Sequence, residues 1–227
     1  TIINSSNYEQ DIEQDLEQDM RENMEEPDVG EQDMGEENII EKKKYCSEIC
    51  SMFTGIIEAI GQVKEIEVKN GNTRFWVSSP LAPHLSVDQS LSHDGVCLTV
   101  EAIKDDMHQV TAISETLLKT TLSDWKTGRA INLERSMVLN GRLDGHLVQG
   151  HADGTAICTH RAEKNGSLEF SFEIPKAFAP LIIEKGSICI NGISLTLFNV
   201  TPTRFTVAII PYTLQHTNMQ ELAIGAQ

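Results

Sequence analysis

The sequence predicts an all-β protein built of two homologous antiparallel Greek-key β-barrels with short helices, and three observations predict it. The first is an internal repeat, in which "GVCLTV" at 95–100 returns as "GISLTL" at 192–197. The second is a run of short segments rich in β-branched and aromatic residues, separated in both copies by turn residues. The third is that helical signal is confined to brief pieces at matching positions, "SPLAPHL" (79–85) and "IPKAFAPLI" (174–182).

The repeat holds register over a long span. At an offset of 97, residues 90–128 lie over 187–225 without a gap, and 10 of the 39 positions are identical, among them Gly95/Gly192, Leu98/Leu195 and Thr99/Thr196. Upstream the offset is 95, with Gly55 over Gly150, Phe75 over Phe170 and Pro80 over Pro175. The organisation read from this is an acidic leader at 1–51, one barrel at 52–140 and a second at 141–227.

Strands are predicted in the first barrel at 72–79, 95–103, 108–114 and 129–135, and in the second at 167–174, 187–200 and 204–211. Asn-Gly pairs (70–71, 165–166), Asp-Gly pairs (94–95, 153–154) and Thr-Pro-Thr (201–203) supply the turns. Gly128 leads into a closing strand, "RAINLERS", whereas its counterpart Gly225 is followed only by Ala226 and Gln227. The second barrel is therefore expected to lack its closing strand, leaving an open edge.

Of the formal charge of −16, residues 1–51 carry −12, so the remainder is mildly acidic and offers no basic patch for a phosphate backbone. Nucleic acid is excluded as a partner on that ground. No apolar run is long enough to span a bilayer as a helix, so no membrane partner is expected, and no signal peptide is visible. Five irregularly spaced cysteines (46, 50, 97, 158 and 189) point to a reduced, cytoplasmic setting rather than a disulfide scaffold. In the leader, Ile12, Leu16, Met20 and Met24 fall on one helical stripe. The stripe suits a docking helix, and the charge density suits a solvated, disordered tail.

The residues that carry chemistry cluster in the repeated motifs. Cys97 stands where the second copy has Ser194, with Thr99 and Thr196 two positions on. A thiol in such a place is either buried structure or a reactive group, and strand hydroxyls are often satisfied by backbone. "GHLVQGHADG" places His146, His151 and Asp153 in a Gly-rich segment, where turn chemistry explains the pattern better than a metal. No metal site is assigned.

"MFTGIIEAIGQV" (52–63), "HDGVCLTV" (93–100), "GRLDGHLVQGHADGTA" (141–156), "INGISLTL" (190–197) and "IPYTLQHTNM" (210–219) together resemble the riboflavin synthases, lumazine-binding double-barrel proteins, across essentially all of 52–227. The resemblance implies dismutation of two 6,7-dimethyl-8-ribityllumazine molecules by four-carbon transfer, giving riboflavin and a pyrimidinedione. It implies no metal or organic cofactor, and a homotrimer whose active site lies between the first barrel of one subunit and the second barrel of its neighbour. It also admits a non-catalytic lumazine- or flavin-binding relative.

Carried over by position, the resemblance implies a first pocket of Gly55, Ile56, Ile57, Cys97, Leu98, Thr99, Thr111, Ile113, Ser114, Glu115 and Thr116. It implies a second of Gly150, His151, Lys185, Gly192, Ser194, Thr196, Val207, Ile210, Pro211 and Thr213. Cys97 is implied as nucleophile or polariser, His151 as a proton carrier, Ser194 and Thr196 as hydrogen-bonding groups, and Phe53 as a residue of the N-terminal motif that matters for activity. Tyr212 and Asp144 depart from the usual pattern, as does the absence of a closing strand bearing an aspartate and of a C-terminal helix after Gln227.

Overall fold

The structure, a computed structural model, describes residues 2–3, 52–138 and 141–227. The leader's helical stripe lies outside the described residues. The first barrel comprises β2 (Ala59–Lys69), β3 (Asn72–Ser78), β4 (Ser90–His93), β5 (Val96–Thr99), β6 (Ala102–Lys104), β7 (Met107–Ala112) and β8 (Ala130–Arg135). Its strands hydrogen-bond in the order β5-β4-β8-β2-β3-β7-β6. Since β6 continues β5 after a short break, the ring closes, and closure leaves no free edge.

The second barrel repeats the plan with β9 (Ile157–Lys164), β10 (Ser167–Glu173), β11 (Ser187–Ile190), β12 (Ile193–Thr201) and β13 (Arg204–Ile209). Here the counterpart of β5 and β6 is the single strand β12, whose register slips between Phe198 and Thr201 where the first barrel breaks. The expected strands at 95–103 and 187–200 are thus each interrupted once. The Asp94-Gly95 and Asn191-Gly192 turns that interrupt or precede them have positive φ at both residues, the geometry of a tight hairpin.

The closing slot of the second barrel is filled in two parts. Gly225 N–H donates to Cys158 C=O at 2.7 Å and Cys158 N–H to Ala226 C=O at 2.9 Å, the same pair that Gly128 and Arg129 make with Val63. On the other side, β1 (Ile2–Ile3) pairs with β11, Ile2 opposite Ile190 and Ile3 opposite Cys189. That is the register in which β8 sets Leu133 opposite His93 and Glu134 opposite Ser92.

The cores follow from strand alternation. In β3 the pattern from Thr73 to Val77 buries every second residue, and Phe75 meets Trp125 edge-on at 5.1 Å. The second core stacks Phe172 on Phe205 at 5.4 Å. Each such buried side chain contributes about 1.5–3 kcal/mol. The helical pieces expected at 79–85 and 174–182 are 3₁₀ turns at Ala82–His84 and Lys176–Leu181. Two helices were not expected, α1 (Ser114–Lys119) and α2 (Pro211–Gln215); they end the strands predicted at 108–114 and 204–211 early. Among the described residues no helix is long and apolar enough to cross a membrane.

Candidate functional site

The two barrels meet about a pseudo-twofold axis at which equivalent residues touch one another. Phe53 and Val148, equivalents at the offset of 95, form an antiparallel bridge, Phe53 N–H to Val148 C=O at 2.7 Å and the reverse at 2.9 Å. Each lies in a short strap, 52–57 and 147–152, that crosses to the other barrel. Ser194 N–H donates to Gly55 C=O at 2.8 Å, and Cys97 N–H donates to Gly150 C=O at 2.9 Å. Both glycines are required, because φ is +78° and +82° there. A Cβ would in addition come within 2.7 Å of the Ser194 Cβ and within 2.5 Å of the Cys97 Cβ, respectively.

This exchange corrects the grouping expected from sequence. Gly55 and Ile57 were placed with Cys97, yet Gly55 sits on Ser194 and Ile57 packs against the second core. Gly150, placed with Ser194, sits on Cys97. The physical reason is that residues carried over by position were grouped with the barrel they precede in the chain, and chain order carries no information about which barrel a strap packs on.

Lys185, Ser194, Leu195, Thr196, Phe198 and Ala208 line an open cleft of about 500 Å³ on the second barrel. The Lys185 ammonium lies 5.6 Å over the Phe198 ring, a cation–π contact at the cleft wall. Ser194 Oγ is 2.7 Å from His146 Nδ1, and burial brings the His146 imidazole down to about 4, so the ring is neutral at pH 7. The sequence assigned this histidine to turn chemistry, and the resemblance favoured His151, which is exposed. The equivalent positions of the first barrel, at the offset of 97, are Asp88, Cys97, Leu98, Thr99, Glu101 and Thr111. Burial lifts the Cys97 thiol above its ordinary value, with a hydrogen bond to Ser90 opposing, so the side chain is a thiol at neutral pH. Thr111 Oγ1 donates to Glu101 at 2.9 Å.

The remaining expected residues fall into three places. Leu98 and Val207 are buried in the two cores. Ile113, Ser114, Glu115 and Thr116 run from the end of β7 into α1, where Ser114 Oγ donates to Gly71 C=O at 2.8 Å and Glu115 pairs with Lys119. Ile210, Pro211 and Thr213 enter α2 in the same way; Thr213 C=O accepts from Thr217 Oγ1 at 2.7 Å as Thr116 C=O accepts from Thr120 at 2.6 Å. Ile113 and Ile210 are more than half exposed, and Ile56 on its strap is nearly so. Phe53 is fully buried with Val148 and Cys189 at the axis.

A second group missed from sequence lies at the barrel junction. Asp94 Oδ1 accepts from Asn132 N–H and from Asn218 Nδ2 at 2.8 Å each, and Asn132 Nδ2 donates to Asn191 C=O at 2.8 Å. Burial raises the Asp94 carboxyl to about 6 against these hydrogen bonds and Arg129. Polar residues of short side chain in "HDG", "INL" and "TNM" were the available signal. Among the described residues no three His, Cys, Asp or Glu side chains come together as metal ligands.

A duplicated β-barrel, crossed by reciprocal straps and bearing beside the crossing an open cleft with the hydroxyls of Ser194 and Thr196, defines a double-barrel protein with a cleft of small-molecule size. The Lumazine binding domain family matches twice, at 54–136 and 149–227, and the chain belongs to that family. It is 34% identical over 177 residues to the riboflavin synthase of Bacillus subtilis (strain 168), covering 78% of this chain and 82% of that one. With the riboflavin synthase of Brucella abortus it is 37% identical over 180 residues, covering 77% and 89%. LumP, solved in complex with 6,7-dimethyl-8-(1'-D-ribityl) lumazine, has the same fold at a TM-score of 0.69 and 23% identity, covering 77% of this chain and 95% of that one.

Proposed function

We propose that the chain is a cytoplasmic riboflavin synthase, transferring a four-carbon unit between two 6,7-dimethyl-8-ribityllumazine molecules. One molecule gains the unit and becomes riboflavin, and the other leaves as the pyrimidinedione. The observation that carries this reading is the pairing of alike frames with unlike linings. Gly-x-x-Leu-Thr recurs in both, while Cys97 faces Ser194, Asp88 faces Lys185 and Glu101 faces Phe198 across the repeat. Two copies of one substrate need alike sites, and donor and acceptor need different chemistry. Holding two rings in register converts a bimolecular encounter into a near-unimolecular one, which can lower a barrier by roughly 7–11 kcal/mol.

In this reading Ser194, backed by neutral His146, hydrogen-bonds one ring, and Cys97, as a thiol, polarises the other. Lys185 holds a ring carbonyl or the ribityl chain. A homotrimer would bring the first cleft of one copy against the second of its neighbour, through the exposed Ile113 and Ile210 faces. A carrier that binds lumazine without turnover is the second reading, and the LumP likeness favours it.

Purified chain incubated with the lumazine is expected to form riboflavin with two lumazines consumed per product, followed by absorbance and fluorescence. Saturable quenching of lumazine fluorescence with no product would replace the synthase with the carrier.

A further inference from the structure

We propose that Glu134 is a positioning residue, which seats the first strap on the second barrel and thereby orients Ser194. The inference rests on the Ser194 cleft being a reaction site, as above. Glu134 stands on β8 of the first barrel and is only 4% exposed. Its Oε1 accepts from the Thr54 N–H at 2.7 Å and from the Thr54 hydroxyl at 2.7 Å, and its Oε2 accepts from the Gly55 N–H at 3.0 Å. Three donors on two oxygens is an arrangement that suits an ionised carboxylate, and charge-assisted bonds of this kind are roughly twice as strong as neutral ones. Burial lifts this carboxyl above its ordinary value, and the hydrogen bonds from Thr54 and Gly55 oppose that lift.

The two residues whose N–H groups Glu134 holds, Thr54 and Gly55, are the two whose carbonyls hold the site. Gly55 C=O takes the Ser194 N–H at 2.8 Å, and Thr54 C=O takes the His146 N–H at 3.0 Å. His146 in turn meets Ser194 Oγ at 2.7 Å. One carboxylate of the first barrel therefore governs both the backbone of Ser194 and the imidazole beside its hydroxyl. A carboxylate at 134 is explained by the grip on the strap.

The test uses the full chain with Glu134→Gln, which keeps the size but turns an amide N–H₂ toward at least one strap donor, and Thr54→Val, which removes one donor alone. Amide hydrogen exchange followed by NMR is expected to quicken about tenfold or more at Ser194 and His146 in E134Q, with the β3–β7 and β10–β13 ladders unchanged. Unchanged exchange at those two amides, or an equal rise throughout, would overturn the proposal. In turnover, kcat for riboflavin is expected to fall about 100-fold in E134Q with KM within about threefold. T54V should lose less, and T54V/E134Q no more than E134Q. Wild-type kcat in E134Q, or additive losses in the double variant, would also overturn it. A wild-type chain that forms no riboflavin counts against the proposed reaction, and the exchange measurement then decides the strap's dependence on Glu134 by itself.

Discussion

In the first barrel His93 and His108 share a buried hydrogen bond of 2.9 Å between their Nε2 atoms, while the equivalent positions of the second barrel hold Ile190 and Phe205 in an apolar core. His93 Nδ1 lies 3.0 Å from the Leu91 carbonyl, so Nδ1 carries its proton and its Nε2 accepts from His108. The cleft positions differ in the same manner: Lys185 and Phe198 line the second barrel's cleft where the first barrel has Asp88 and Glu101. What the halves keep in common is backbone: the strap contacts, the hairpin turns and the hydroxyl caps of Thr120 and Thr217. The lesson is that the hydrogen bonds of straps, turns and caps hold a common frame, within which core pairs such as Phe75/Phe170 were kept while the His93, His108 and cleft positions diverged.

The largest effect is expected where the frame is shared. Gly150→Val and Gly55→Val each force a branched side chain onto backbone at positive φ, and should each cost about 4 kcal/mol or more, read from urea midpoints. Gly128→Ala, also at positive φ but with nothing within 4 Å of the new Cβ, should cost only about 1–2 kcal/mol. Equal losses at the three sites would dissolve the argument from close approach.

Next comes the histidine pair. Burial lowers both rings, His108 from 6.5 to about 4 and His93 well below 6.5. The folded state keeps them neutral while the unfolded chain protonates, so their contribution is present above pH 6.5 and lost as pH falls toward 4. For His108 that is on the order of 3 kcal/mol. H93I/H108F, which imports the second barrel's pair, should remove this acid loss in melting curves taken from pH 7.5 to 4.

Asp94 has the opposite sign. Its folded value, about 6, lies above the ordinary 3.8, so its contribution is largest below about 4 and falls as pH rises through 6, again on the order of 3 kcal/mol. Asp94→Asn copies Asn191 and should flatten that slope, leaving the histidine slope steeper than in the wild type. An unchanged pH profile would mean that the carboxyl is solvated. The smallest effect expected is at the clefts: Lys185→Asp should weaken lumazine binding about tenfold by fluorescence titration, about 1.4 kcal/mol, with the fold unaltered.

Much of this was legible in advance. The offset of 97 placed Cys97 opposite Ser194, and β-branched and aromatic segments between turn residues predicted the two barrels. The straps were not legible, since Gly55 and Gly150 announce only that each needs an unusual backbone. His146 and Glu134 escaped because their significance lies in contacts 48 and 80 residues away along the chain. Spacing within a motif cannot report such distances. The two short helices escaped because "SETLLK" and "PYTLQ" are single turns or little more, fixed by tertiary packing.

The axis through Phe53 and Val148 has a meaning for ancestry. Equivalent residues facing one another across a twofold is the signature of an isologous homodimer. The geometry is that of two identical subunits that once traded straps and were later joined end to end. While the subunits were separate, every substitution at their junction appeared twice and had to suit itself. Fusion lifts that condition, and Asp94 against Asn191 is a difference that two identical subunits could not keep.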